Sequence, residues 1–166
     1  GYMFGKDQVE KYEYNGYSFF KKNFGWSTEI DGKMLSFDFF PSETEDIKMD
    51  DEMIIRLSDS LQIDVTSYPE DSLKEAIAKA QYDVSEIFQA VSNSYIRVGM
   101  VDENKFNLPI IDCNNATESV PVLLFQKSNE TSIIYDDGCI RISAKSDFDM
   151  LRAKDRLLFG YIGIID

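Results

Sequence analysis

Residues 61–101 read LQIDVTSYPEDSLKEAIAKAQYDVSEIFQAVSNSYIRVGMV, and this stretch decides the fold. At its start Leu61, Ile63 and Val65 alternate with Gln62, Asp64 and Thr66, the period of a strand, and Tyr68-Pro69 closes it. Leu73, Ala76, Ile77, Ala80, Val84, Ile87, Phe88 and Val91 then recur at helical spacing over about five turns. Pro69, Glu70 and Asp71 suit the first turn of that helix, where a missing amide hydrogen costs nothing and acids complement the dipole. A second strand follows over 95–101. Strand, helix and strand in this order most economically make a parallel pair with a right-handed crossover.

Upstream, residues 12–40 read as a meander of short strands rich in Tyr, Phe and Ile. Asn15-Gly16 and Asp31-Gly32 are type I′ turn dipeptides, so 12–14 should pair with 17–20 and 26–30 with 33–39. Pro41 ends this region, and residues 38–52 hold seven carboxylates against Lys48, a solvated segment. The acids before 53–57 favour a short helix there. Downstream, strands are expected at 120–126, 131–135 and 139–143. A last helix follows, with Ser146 and Asp149 at capping-box spacing and an apolar stripe of Phe148, Leu151, Leu158 and Tyr161 or Ile162. The reading is α+β: an N-terminal antiparallel β meander, then a β-α-β unit, then a β meander and a C-terminal helix. One domain over 1–166 accommodates this, and a division into a 12–40 meander and a 53–166 α/β layer joined by acidic 41–52 stays open.

The 166 residues are 43% apolar, enough for a real core, with 30 Asp and Glu against 17 Lys and Arg and no histidine. The net charge of −13 opposes nucleic acid and anionic membrane surfaces, both bound through Lys and Arg. Absent histidine excludes Ser-His-Asp and Cys-His catalysis and His-ligated zinc. No Gly-rich phosphate loop, Gly-x-Ser-x-Gly or Cys-x-x-Cys can be written, and Glu43, Glu45, Asp46, Asp50, Asp51 and Glu52 fit no EF-hand spacing. No metal or cofactor is expected. The longest apolar run, 157–165, is well short of the ~18 residues of a membrane span. The chain starts at Gly1 rather than Met, so we expect a processed piece whose residues 1–5 are the edge of an upstream anchor or a tag-derived leader.

Cys113 and Cys139 are the only cysteines, and Asn115-Ala116-Thr117 and Asn129-Glu130-Thr131 are sequons, which makes Asn115 and Asn129 glycosylation candidates in an exported protein. A Cys113–Cys139 bridge is worth roughly 3–4 kcal/mol by loop closure. Aromatic residues crowd the first forty positions, mostly as core. Consecutive pairs such as Phe19-Phe20 and Phe39-Phe40 cannot both face inward from a strand, so Phe20 and Phe40, with Trp26, are candidate partner contacts. The basic residues Lys145, Arg152, Lys154 and Arg156 should pair with the acidic remainder.

Cys113, Ala116-Thr117, Val120-Pro121-Val122, Cys139-Ile140, Asp155-Arg156-Leu157-Leu158 and Gly163-Ile164 resemble the closing segment of uncharacterised archaeal proteins of small-genome lineages that carry an N-terminal membrane anchor. The likeness spans 113–164 and implies an extracytoplasmic α+β domain with a cysteine pair, tied to a membrane only through such an anchor. Three functions follow in order. The first is a non-enzymatic cell-surface or secreted domain acting through protein contacts. The alternative is a cytoplasmic acidic, immunity-like inhibitor covering a basic partner. The third is a carboxylate- or metal-dependent enzyme. Replacing either cysteine by serine should lower the melting temperature under oxidising conditions and leave the reduced protein unchanged; equal losses in both would point to packing instead of a covalent link.

Overall fold

The structure is a computed structural model describing residues 9–166, so the leader at 1–5 lies outside the described residues. Four antiparallel strands come first, in sequence order: β1 Lys11–Tyr14, β2 Tyr17–Lys21, β3 Trp26–Ile30 and β4 Lys33–Phe37. The turns between β1 and β2 and between β3 and β4 have φ of 48° and 83° at Asn15-Gly16 and 50° and 81° at Asp31-Gly32, the positive values their sequences predict. β4 stops short of position 39. The amides of Asp38 and Phe39 turn away to donate to Asp155 Oδ2 at 2.9 and 2.8 Å.

A 3-10 helix, Pro41–Thr44, and α1, Asp51–Ser58, come next. The carboxylates of 41–52 face water as expected, yet the segment is no free linker. Pro41, Thr44 and Ile47 are buried, Arg152 Nη1 donates to Glu43 O at 2.8 Å, and Arg156 Nε donates to Ile47 O at 2.7 Å.

β5 Gln62–Ser67, α2 Lys74–Ser92 and β6 Tyr95–Val98 form the expected crossover with parallel strands. β7 Val122–Lys127, β8 Ser132–Asp136, β9 Cys139–Ala144 and α3 Asp147–Ile162 complete the chain. The class is α+β, and the second sheet is mixed, in the order β6-β5-β7-β9-β8 with only β8 antiparallel. The last three strands therefore differ from a simple meander, because β9 inserts between β7 and β8. Val122, Leu123, Leu124 and Phe125 are all buried, so β7 needs cover on both faces and a partner on both edges, as a central parallel strand does.

Helices α2 and α3 cover one face of this sheet over Ile63, Val65, Leu123, Phe125, Ile140 and Ile142. The other face is covered by the β6–β7 connection, whose Ile111, Val101, Cys113 and Ala116 pack on Val122, Leu124 and Cys139. Gly99 permits the approach, since a Cβ there would lie 2.6 Å from both the Ile111 side chain and the Pro109 carbonyl. Met100 then exchanges backbone bonds with Pro109 O (2.9 Å) and Ile111 N (2.8 Å), a strand-like extension beside the sheet edge.

The meander shares the helical core: the Phe159 ring of α3 lies 4.6 Å from Phe37 and 6.0 Å from Phe19, between centroids. Because α3 is packed from several sides, every residue over 153–160 is buried, charged ones included, while Phe148 of the expected stripe is exposed. Lys154 Nζ sits 2.7 Å from Asp38 Oδ2, 3.0 Å from Asp83 Oδ2 of α2 and 2.6 Å from Asp155 Oδ1. Lys79 of α2 closes the outer side, 2.9 Å from Asp38 and 2.7 Å from Asp83. Lys154→Met keeps the apolar stem but leaves three carboxylates facing one ammonium, so denaturant unfolding should show a loss of about 3–5 kcal/mol. A loss below about 1 kcal/mol would mean that Lys79 and solvent suffice to compensate the acids.

Candidate functional site

Hairpin register builds a groove on the core-facing side of the meander. Tyr12 pairs with Phe19, and Lys21 with Trp26, placing Tyr12, Lys21 and Trp26 on one face. Phe40 enters from beyond β4 and begins the 3-10 turn, where its amide donates to Glu43 Oε1 at 2.9 Å. Its ring centroid lies 4.9 Å from Trp26 and 6.2 Å from Tyr12, and Tyr12 meets Trp26 edge-on at 5.3 Å. The groove of about 400 Å³ is bordered by Glu10, whose Oε2 accepts from the Tyr12 hydroxyl at 3.0 Å, and by Glu43. Lys21 lays its ammonium over Trp26, 4.9 Å from the ring centroid. The neighbouring β2–β3 turn presents Phe24 at 97% exposure.

Of the three contact residues expected, Trp26 and Phe40 converge here. Phe20 pairs with Lys11 and Ser27 on the far face of the same sheet, half-buried. Tyr12 lines the groove and Phe24 stands on the adjoining turn, both legible only as part of the aromatic crowd; the Asn15-Gly16 register places Tyr12 opposite Phe19, and the β2–β3 register is needed as well to bring it beside Trp26.

Cys113 and Cys139 are bonded, with Cα atoms 5.2 Å apart, joining a 3-10 turn at Cys113–Asn115 to the start of β9. Asn115 and Asn129 are both exposed. Each sequon threonine also has a structural role: Thr117 Oγ1 accepts from Val120 N at 3.0 Å, and Thr131 Oγ1 donates to Asp149 Oδ2 at 3.2 Å.

A second concavity, of about 900 Å³, opens at the carboxyl ends of β5 and β7, where the chain leaves neighbouring strands in opposite directions. Asp71 ties its floor together, accepting from Leu73 N at 2.8 Å and Lys127 N at 2.9 Å. One wall is a loop wound around Asn104, whose Oδ1 accepts from Phe106 N and Leu108 N at 3.1 and 2.9 Å, leaving Phe106 exposed opposite Tyr68. No local motif announces this cleft, because it is assembled from strand ends far apart in sequence.

Among the described residues, the Lys154 cluster is the one place where acids and lysines converge in the interior. Three carboxylates share two ammoniums there. Desolvation pushes the fully buried Asp155 up to about 6 from 3.8, against the pull of Lys154 and two backbone amides. Burial works against the charge of Lys154, but the three carboxylates around it win and hold its ammonium protonated well above the usual range. The asymmetry is physical, since Lys154 has three anions and Asp155 has one cation with Asp38 beside it. Asp155 Oδ2 accepts from the two amides, and Oδ1 is in ion-pair contact with the Lys154 ammonium at 2.6 Å but lacks a well-aligned hydrogen bond, so charge more than hydrogen bonding makes the cluster a strut. Among the described residues no group of three or more Cys, Asp or Glu is placed to hold a metal ion, and no helix is long and apolar enough to cross a membrane.

Comparison with protein-family models, curated proteins and solved structures gives no match to this chain.

The folded protein binds the Asp155 proton more tightly than the unfolded chain does. Its contribution to stability is therefore present below about pH 4 and lost as the pH rises through 6. Asp38 and Asp46 are lowered and act oppositely, losing their contribution only as the pH falls below the ordinary carboxylate range. Between pH 7 and 5 stability should increase by about 1 kcal/mol, or about 2–4 °C in melting temperature, and Asp155→Asn should flatten that rise. A variant with the same pH slope as the parent would assign the titration elsewhere.

Proposed function

We propose that this chain is a non-enzymatic binding domain of the cell surface or a secreted protein, and that it docks a protein partner on the aromatic groove of the meander. The carrying observation is the convergence of Tyr12, Trp26 and Phe40 in an open groove at the margin of the meander's core-facing side, with Phe24 97% exposed on the adjoining β2–β3 turn. Aromatic anchors of this kind dominate interface energetics, and a cluster of them at one open groove marks a docking surface. The Cys113–Cys139 bond is compatible with an oxidising, extracellular compartment, where such bonds persist. The acidic-inhibitor reading shares the chemistry, since Glu10 and Glu43 border the groove and the chain carries −13, so a basic partner face suits both. It differs in compartment, and a bonded cysteine pair favours the outside.

The strand-end cleft supports a second reading, in which a small ligand binds between Tyr68 and Phe106.

Labelled domain titrated onto intact cells of the native host should bind saturably, and Phe24→Ser with Trp26→Ala should weaken this at least tenfold without unfolding the protein. Unchanged binding by the double variant, or none by the parent, would overturn the docking reading. Intact-mass measurement with and without reduction on protein from that host tests the compartment: two free thiols would return the inhibitor reading to first place.

A further inference from the structure

Lys21 holds the clue to what the groove receives. Its side chain is exposed, it makes no ion pair among the described residues, and its ammonium rests on the only tryptophan of the chain. The ring face thus carries a cation, an arrangement its quadrupole favours. Two carboxylates stand at the rim, and both are oriented by bonds of their own: Glu10 to the Tyr12 hydroxyl, Glu43 to the Phe40 amide. One ammonium against two carboxylates leaves an unbalanced negative charge beside about 400 Å³ of open groove. The hydrogen bond to Glu10, and after it the Glu10 charge, hold the Tyr12 hydroxyl protonated above the usual range.

We propose that the Trp26 face is a cation site for an arginine side chain of the docked partner, with Lys21 as an internal placeholder that the arginine displaces. The proposal rests on the docking reading above and adds the partner's chemistry to it. Arginine fits better than lysine. A planar guanidinium stacks on an indole while its N–H fork reaches a carboxylate, whereas a lysine would only replace Lys21 with its like. The displaced ammonium is released to solvent beside Glu43 or Glu10, so no charge is stranded.

Because Trp26 is the sole tryptophan, its emission reports on the site directly. The probe is a blocked Gly-Arg-Gly peptide, with its citrulline counterpart as the uncharged isostere. The arginine peptide should change Trp26 emission saturably and less at high salt, and the citrulline peptide should not. Lys21→Met should tighten arginine binding about twofold to fivefold by removing the competitor. Glu43→Gln, which can still accept the Phe40 amide, should weaken it by a similar factor. No saturable change, an equal response to citrulline, or weaker binding by Lys21→Met would overturn the cation site. The two proposals fail separately. Host-cell binding that depends on Phe24 but ignores Lys21→Met and Glu43→Gln sinks only the arginine; an arginine response without host-cell binding sinks only the docking reading.

Discussion

One buried ammonium organises this molecule. Lys154 reaches from α3 to Asp38 at the end of β4 and to Asp83 on α2, and its neighbour Asp155 takes the two amides that end β4. Those amides would otherwise be unsatisfied in a region filled by Phe37, Phe39 and Phe159. Their capture turns the chain out of the sheet at position 38, and that turn delivers Phe40 opposite Trp26. The groove is therefore a consequence of charge buried behind it: the hairpins alone could align Tyr12 with Trp26, but they could not supply the third ring.

Local chemistry made much of this legible. Asn15-Gly16 and Asp31-Gly32 announce their turns through the φ they tolerate, and the apolar spacing over 73–91 announces α2, because both signals lie within a few residues of one another. The cysteine pairing was legible for a different reason, since two cysteines allow one bridge. What failed to show was everything decided between distant segments. The order of β7, β9 and β8 depends on burial of β7 from both faces, and its unbroken Val122–Leu123–Leu124–Phe125 run was the available hint. Lys154 and Arg156 were legible as partners for the acidic remainder but not as interior groups, since charged residues are seldom fully buried, and only the meander, α2 and the 41–52 strap arriving together bury them and Asp155. The same limit applies to the site. Trp26 and Phe40 stood out by type, while Tyr12 needed the register and Phe24 needed its exposure. The Tyr68–Phe106 cleft needed the whole sheet.

The second sheet is also covered unequally. Two helices shelter one face, whereas the other is sheltered by a connection with a single 3-10 turn as its regular element, around Cys113. Such a cover has few backbone bonds of its own and relies on Ile111, Asn104 and the bond to Cys139 to stay in place. The disulfide therefore stands in for a missing layer, and it anchors the connection near its downstream end, close to where the chain enters β7.

The strand-like extension at Met100 bears on self-association. Edge strands invite pairing with other copies, and β6 is one edge of a largely parallel sheet whose other edge is β8. The Tyr95 and Gly99 amides turn inward to Leu61 and Val65, so alternation turns those of Ile96 and Val98 outward. At Met100 the outward groups are already taken by Pro109 and Ile111. An incoming strand thus finds a ladder only a few residues long before it collides with the chain's own backbone. Strand addition at this edge is thereby confined to the groups of Ile96 and Val98, so the chain caps its own sheet just past the end of β6.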